Sequence, residues 1–155
     1  MTQDYKILMV DDHPMIIEGY QNTLIATRRP NQELEIDIAN DCEMANLLLQ
    51  KSSKDERNFY DVCFFDISLP PSKDGLITSG EDLAKITRTV LPKAKIIILT
   101  MFNESLRIHN IMNEINPEGL LIKSDLTSSE LAEAFQNILA GNTYYSNTVE
   151  EFLKT

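Results

Sequence analysis

With only two cysteines in 155 residues, the chain cannot rest on a disulfide scaffold. One of them, Cys63, lies inside an apolar run and reads as a small buried hydrophobe. Basic residues are a minority: 14 Lys and Arg against 24 Asp and Glu give a net charge of −10. That balance argues against a segment that itself grips a nucleic-acid backbone, which needs a basic face. It equally disfavours an anionic membrane surface. No apolar run approaches the ~18 residues of a spanning helix. The opening MTQDYKILMVDD lacks the basic-then-apolar pattern of a signal peptide. A soluble cytoplasmic protein is the expectation. Familiar catalytic signatures are missing as well: there is no GxGxxG, no GxSxG and no HExxH. Residues Gly75 to Gly80 have the glycine spacing of a P-loop, but Glu81 and Asp82 stand where Lys and Ser or Thr are required.

What remains is ample for a folded domain. Apolar residues make up 43% of the chain. A single domain of this length buries roughly 70% of its unfolded surface. Short apolar runs alternate with longer helical patterns. Tyr5–Val10 is a β-rich run ending in Asp11 and Asp12. His13-Pro14 then opens a helix striped by Ile16, Ile17, Tyr20 and Leu24. Leu34, Ile36 and Ile38 alternate with acids, as in a strand with one wet face. Asn40 and Glu43 have the spacing of a capping box before a helix with Met44, Leu47 and Leu48. Val62–Phe65 is a continuous apolar strand ending in Asp66, followed by a Pro-, Ser- and Gly-rich loop from Ser68 to Gly80. Leu83, Ile86 and Val90 mark the next helix, closed by Pro92. Ile96–Leu99 is a strand ending in Thr100, and Leu106, Ile108, Ile111 and Met112 suggest a helix after it. Gly119–Ile122 is a fifth short strand, ending in Lys123. Thr127 and Glu130 cap a last helix with Leu131, Phe135 and Ile138, and Gly141 suits its C′ position.

Strands buried on both faces and alternating with helices predict a doubly wound α/β domain with a parallel sheet. In such sheets ligands bind beyond the carboxyl ends of the strands. Those ends carry Asp11, Asp12, Asp66, Thr100 and Lys123. Carboxylates crowded there repel one another, at about 4 kcal/mol per pair for 4 Å and an effective dielectric near 20. Lys123 offsets part of this, and Mg2+, which prefers oxygen ligands, would offset more. Such an ion would also neutralise an incoming phosphoryl group. Asp66, alone at the end of the most apolar strand, is the candidate nucleophile, since carboxylates form aspartyl-phosphate intermediates. Thr100 and Lys123 are placed to meet phosphoryl oxygens. His13 reads as an N-terminal helix residue rather than a ligand, and His109 as a surface residue.

These residues resemble the receiver domain of two-component response regulators, over about residues 4–146. The strongest segments are ILMVDDHP at 7–14, DVCFFDISLP at 61–70, KIIILT at 95–100 and EGLLIKSD at 118–125. The DDHP opening, the LTMFNES segment and the SSELAEAFQNILAGNTYYS ending are similar to the LuxR-type subclass, in which a helix-turn-helix DNA-binding domain follows. The resemblance implies a flavodoxin-like, five-stranded sheet in the order 2-1-3-4-5, flanked by five helices. It implies Asp66 as phosphoacceptor, Asp12 as direct metal ligand, Asp11 as the acidic neighbour and the carbonyl of Ser68 as a further Mg2+ ligand. Thr100 matches the switch hydroxyl and Lys123 the site lysine. The implied partner is a sensor histidine kinase or phosphotransfer protein, with self-association as a possible output. DNA would be reached only through a further domain, and no membrane is implied. The product is the modified chain itself, so no turnover enzyme is expected. Residues 1–146 would form the receiver and 147–155 a linker or tail. A stand-alone receiver is the alternative, and a Mg2+-dependent aspartyl-phosphate phosphatase the more distant one. Haloacid-dehalogenase-like enzymes place their aspartate after the first strand in a DxD pattern, which Asp66 and Ser68 do not match.

Three departures stand out. Ser124 follows Lys123 where many receivers have proline, and Leu120 occupies the usual switch-aromatic position. The loop after Asp66 is about six residues longer than usual, placing Pro71 to Thr78 above the site: a tolerated surface insertion, since long loops cost little extra entropy, or else a partial lid or a specificity element for the kinase. Phe102, two residues after Thr100, stands where the resemblance implies that side chains tune hydrolysis of the acyl phosphate; its ring reads either as excluding the attacking water or as a loop residue packing on the next helix.

Overall fold

The computed structural model describes residues 2–101 and 105–154; Phe102 lies outside the described residues. Six strands, β1 (Gln3–Val10), β2 (Gln32–Ala39), β3 (Val62–Asp66), β4 (Lys95–Thr100), β5 (Gly119–Ile122) and β6 (Tyr144–Tyr145), form one parallel sheet. Their order is β2-β1-β3-β4-β5-β6. The helices are α1 (Pro14–Thr27), α2 (Cys42–Ser53), α3 (Gly80–Val90), α4 (Ser105–Glu114), α5 (Ser128–Leu139) and α6 (Asn147–Leu153). No described helix is long and apolar enough to cross a membrane.

The period of two along each strand divides the core between two faces. Ile7, Met9, Val62, Phe64, Ile97, Leu99 and Leu121 pack with Leu24 of α1 and with Leu131, Phe135 and Ile138 of α5. Their sequence neighbours Leu8, Val10, Cys63, Phe65, Ile96, Ile98, Leu120 and Ile122 pack with residues of α2, α3 and α4. Both faces are covered, which is why β3 and β4 have no polar alternation.

The five-strand, five-helix expectation holds for the first five strand–helix units, and the segment after Gly141 adds one more of each. Tyr144 and Ser146 donate backbone N–H groups to the carbonyls of Glu118 and Leu120, extending the sheet by two residues. Ser146 Oγ accepts from the N–H of Ile122 at 2.9 Å. Val149 of α6 is buried in the same apolar cluster as Ile108, Ile111 and Leu120. Leu120 lies opposite Tyr145 in the register and is fully buried.

Local signals also sharpen on inspection. Thr127 caps α5 by accepting from the N–H of Glu130, and Gly141 takes φ +93° at the C′ position of that helix. The cap of α2 is Asp41, which accepts from the N–H of Met44, rather than Asn40. An aspartate placed directly before the first helical residue can reach the N3 donor, and Asn40 lies one residue too early. None of the described peptide bonds is cis, the one after Lys123 included.

A carboxylate cluster at the switch point of the sheet

β1 and β3 are neighbours, and their following connections leave in opposite directions, to β2 on one side and β4 on the other. The crevice this creates lies beyond the carboxyl ends of β1 and β3, where ligands bind in doubly wound sheets. Asp11 and Asp12 follow β1, Asp66 ends β3, Thr100 ends β4, and Lys123 follows β5. The five side chains predicted from the strand ends therefore stand side by side at one rim.

Ligand atoms of Asp11, Asp12, Asp66 and His13 all lie within 4.8 Å of one another. Asp66 is 1% exposed and Asp11 2%. Lys123 is the counterion: its Nζ donates to Asp11 Oδ2 at 2.9 Å and stands 3.5 Å from Asp66 Oδ1. Asp66 Oδ1 also accepts from the backbone N–H of Ser68 at 3.3 Å. After these bonds, two buried oxygens have no hydrogen-bond partner among the described residues, Asp12 Oδ1 and Asp66 Oδ2. Buried carboxylate oxygens left in this way are costly unless something else completes them.

Burial and the neighbouring Asp11 charge push the Asp66 carboxyl above its ordinary range, against the opposing pull of Lys123 and the Ser68 N–H. One ammonium group thus does not neutralise the pocket. The Tyr20 hydroxyl of α1 feels the same field: burial, then the charges of Asp11 and Asp66, raise it to about 12. A divalent ion fits this donor set. The two unpartnered oxygens are hard anionic donors of the kind Mg2+ takes, and a positive charge there would relieve the repulsion that Lys123 leaves.

Two residues shape the site without having been assigned to it from the sequence. His13 is the N-cap of α1, as its position before Pro14 suggested, yet its ring also joins the cluster. Its backbone N–H and its Nδ1 each lie 2.9 Å from Asp11 Oδ1, and Nδ1 is 3.1 Å from Asp12 Oδ1. Hydrogen bonding to Asp11 and the Asp12 charge raise the His13 pKa above its usual value. Gly80 is the other. A Cβ there would meet the carbonyl oxygen of Asp66 at 2.1 Å, so only glycine lets α3 start against the strand that presents Asp66. The glycine was visible in the sequence, but its spacing from Gly75 drew attention to a phosphate loop that the chain does not form.

The long connection after Asp66 is a compact turn. Ser72 N–H donates to the Ile77 carbonyl at 2.7 Å, and Ser72 Oγ donates to Asp74 at 2.6 Å. Lys73 N–H donates to Glu43 and the Cys42 thiol to the Pro70 carbonyl, which ties the turn to the start of α2. Among the described residues, none of these bonds reaches Asp11, Asp12, Asp66 or Lys123. Leu76, at the tip, is 80% exposed.

No family model matches the chain. The oxygen regulatory protein NreC of Staphylococcus epidermidis is 27% identical over 139 residues, which cover 90% of this chain and 56% of NreC. The chain thus spans about half the length of the curated relatives it matches. A LuxR-family two-component response regulator from Aurantimonas sp. SI85-9A1 is 25% identical, with a TM-score of 0.74 over 98% of this chain and 96% of that one. The isolated receiver domain of RcsB from Salmonella enterica serovar Typhimurium, solved in the presence of the phosphomimetic BeF3−, superimposes with a TM-score of 0.74. It covers 97% of this chain and 99% of that one at 21% identity, a likeness of fold. RcsB has also been solved as two dimers bound to two parallel DNAs.

Proposed function

We propose that this chain, a response-regulator receiver domain of the LuxR type, takes a phosphoryl group from a phosphohistidine onto the carboxylate of Asp66, with Mg2+ bound beside it. The observation that carries this reading is the buried Oδ2 of Asp66, without a hydrogen-bond partner among the described residues and set among acidic neighbours beside the Lys123 ammonium group.

Asp12, Asp66 and the carbonyl of Ser68 would hold the ion, with Asp11 as the acidic neighbour. When bound, the ion supplies positive charge against the phosphoryl oxygens. The chain's own groups do the rest. An oxygen of Asp66 attacks phosphorus, the phosphorus–nitrogen bond of the donor breaks, and the imidazole leaves with the electron pair. Lys123, already on Asp11 and Asp66, is placed to follow the charge onto a phosphoryl oxygen. Thr100, buried at the end of the adjacent strand, offers the hydroxyl that moves toward the new group. No second substrate turns over; the phosphorylated chain is the product.

The donor would be a sensor histidine kinase or phosphotransfer protein in the cytoplasm. The output would be altered self-association, and control of transcription through a helix-turn-helix domain in the part of the longer regulator that this chain does not span. The length of the relatives supports that larger role. Residues 1–146 would form the receiver, and 147–155, with α6, would lead toward that domain.

The test is incubation with acetyl phosphate and Mg2+, followed by peptide mass spectrometry. Phosphate on Asp66, absent in Asp66→Asn and absent with chelator, is the expected result. A chain that stays unmodified with Mg2+ present would overturn the reading.

A further inference from the structure

The ring of His13 has no assigned part in phosphoryl transfer. As the cap of α1 its side chain makes no capping bond to the helix. Its backbone is extended, φ −111° and ψ 97°, and Pro14 follows at the first helical position. In that conformation Nδ1 lies within the cluster, on a side chain that is 58% exposed.

The spacing of the donors is informative. Nδ1 lies 2.9 Å from Asp11 Oδ1 and 3.1 Å from Asp12 Oδ1. Adjacent donors around an octahedral ion with bonds of about 2.1 Å are separated by about 3.0 Å. The second of these contacts lacks hydrogen-bond geometry, since Asp12 Oδ1 has no hydrogen-bond partner among the described residues. Nδ1 has one bond to give: directed at Asp11 Oδ1 it leaves Asp12 Oδ1 open, whereas an ion between them would engage the nitrogen and both oxygens at once. Asp66, nine-tenths and more buried, adds its own unpartnered oxygen to the same space. The cluster therefore offers one imidazole nitrogen together with carboxylate oxygens.

We propose that Nδ1 of His13 is an additional metal ligand, so that the site binds borderline first-row divalent ions such as Co2+ through nitrogen as well as Mg2+ through oxygen. This rests on the reading of the carboxylate cluster as a metal centre and deepens it. Imidazole suits Co2+, Ni2+ and Zn2+, whereas Mg2+ keeps to oxygen and water. An all-oxygen site would also favour Co2+ over Mg2+ on the general affinity order. The quantity that isolates His13 is thus the change in the ratio of the two affinities when the ring is removed.

The experiment uses the whole chain, wild type and His13→Ala, with three probes. Calorimetric titration with Co2+ and with Mg2+ gives the two affinities. His13→Ala is expected to weaken Co2+ about tenfold or more while shifting Mg2+ by less than about threefold, in line with the affinity losses of altered metal shells. Mn2+ with pulsed electron paramagnetic resonance reads the ligand atom itself: nitrogen modulation is expected in the wild type and its loss in the variant. This signal does not depend on whether the variant is destabilised, since the wild type alone must show it. Acetyl-phosphate labelling of Asp66 is run in parallel. Absence of nitrogen modulation, or equal weakening of both ions, overturns the ligand role; if Mg2+ binding and labelling of Asp66 persist, the receiver reading survives that failure. Absence of binding by all three ions, together with absence of labelling, overturns both.

Discussion

Each end of the sheet gathers acids around a lysine, and the two ends treat them differently. Toward the amino end, Lys6, Tyr60 and Asp61 line a broad cleft of about 1050 Å³, with Asp37 bonded to Tyr60. Here the polar groups find partners. Asp61 accepts the backbone N–H of Lys6 at 2.8 Å, and Asp37 accepts the hydroxyl of Tyr60 at 2.7 Å. Lys6 Nζ donates to Asn58 at 3.3 Å and lies over the Tyr60 ring. At the carboxyl end Lys123 is shared between two buried carboxylates, and oxygens of Asp12 and Asp66 are left over. Charge does not separate the two ends. Incomplete satisfaction does: the amino end is a finished network, and the carboxyl end leaves buried carboxylate oxygens open among the described residues.

The sharpest break between the ends is covalent. Asp66→Asn is expected to abolish labelling by acetyl phosphate and Asp61→Asn to leave it at the wild-type level, measured by intact mass. Next comes stability. Lys123→Met leaves buried carboxylates without their counterion and is expected to cost about 3 kcal/mol in urea unfolding without divalent ions. Lys6→Met, at a partly exposed pair 4.0 Å from Asp37, is expected to cost less than about 1 kcal/mol. Tyr60→Phe removes one hydrogen bond and is expected to cost about 1 kcal/mol while leaving Asp66 labelling intact.

The smallest effect is in pH. Burial raises the Asp66 carboxyl in the folded chain above its ordinary value of 3.8, so above that value the native state binds more protons than the unfolded one. Stability from this group is therefore lost as pH rises through that window, the reverse of a salt-bridged aspartate. Urea midpoints of the wild type should fall relative to Asp66→Asn as pH increases from about 4 toward neutrality. A difference that stays flat would mean that Lys123 fully neutralises the pocket.

The layout of the domain was legible because each apolar run is followed at once by its polar rim residue. Asp66 after VCFF and Lys123 after GLLI locate strand ends and site residues in one step. The sixth strand was not legible, because two tyrosines have no period to read. Its helix left a fainter signal: Val149, Phe152 and Leu153 recur at helical spacing behind Ser146, within a segment whose first half is polar. His13 was hidden for another reason. Its place before Pro14 fully accounts for it as the start of a helix, and only coordinates show that the same backbone turn brings its ring to two carboxylates. The role of Gly80 was not legible because it lies in a contact with Asp66 fourteen positions earlier in the chain, and periodicity says nothing about close approach between elements.

The outer strand β2 has a further consequence. Its free side is an unpaired row of backbone donors and acceptors, which could recruit a foreign strand. Glu33, Glu35 and Asp37 line that border, so any copy that tried to add itself there would bring its own acids against these. At the opposite border the sheet ends in a strand of only two residues. Uncontrolled growth into fibrils is thus discouraged at one margin by like charge and at the other by brevity.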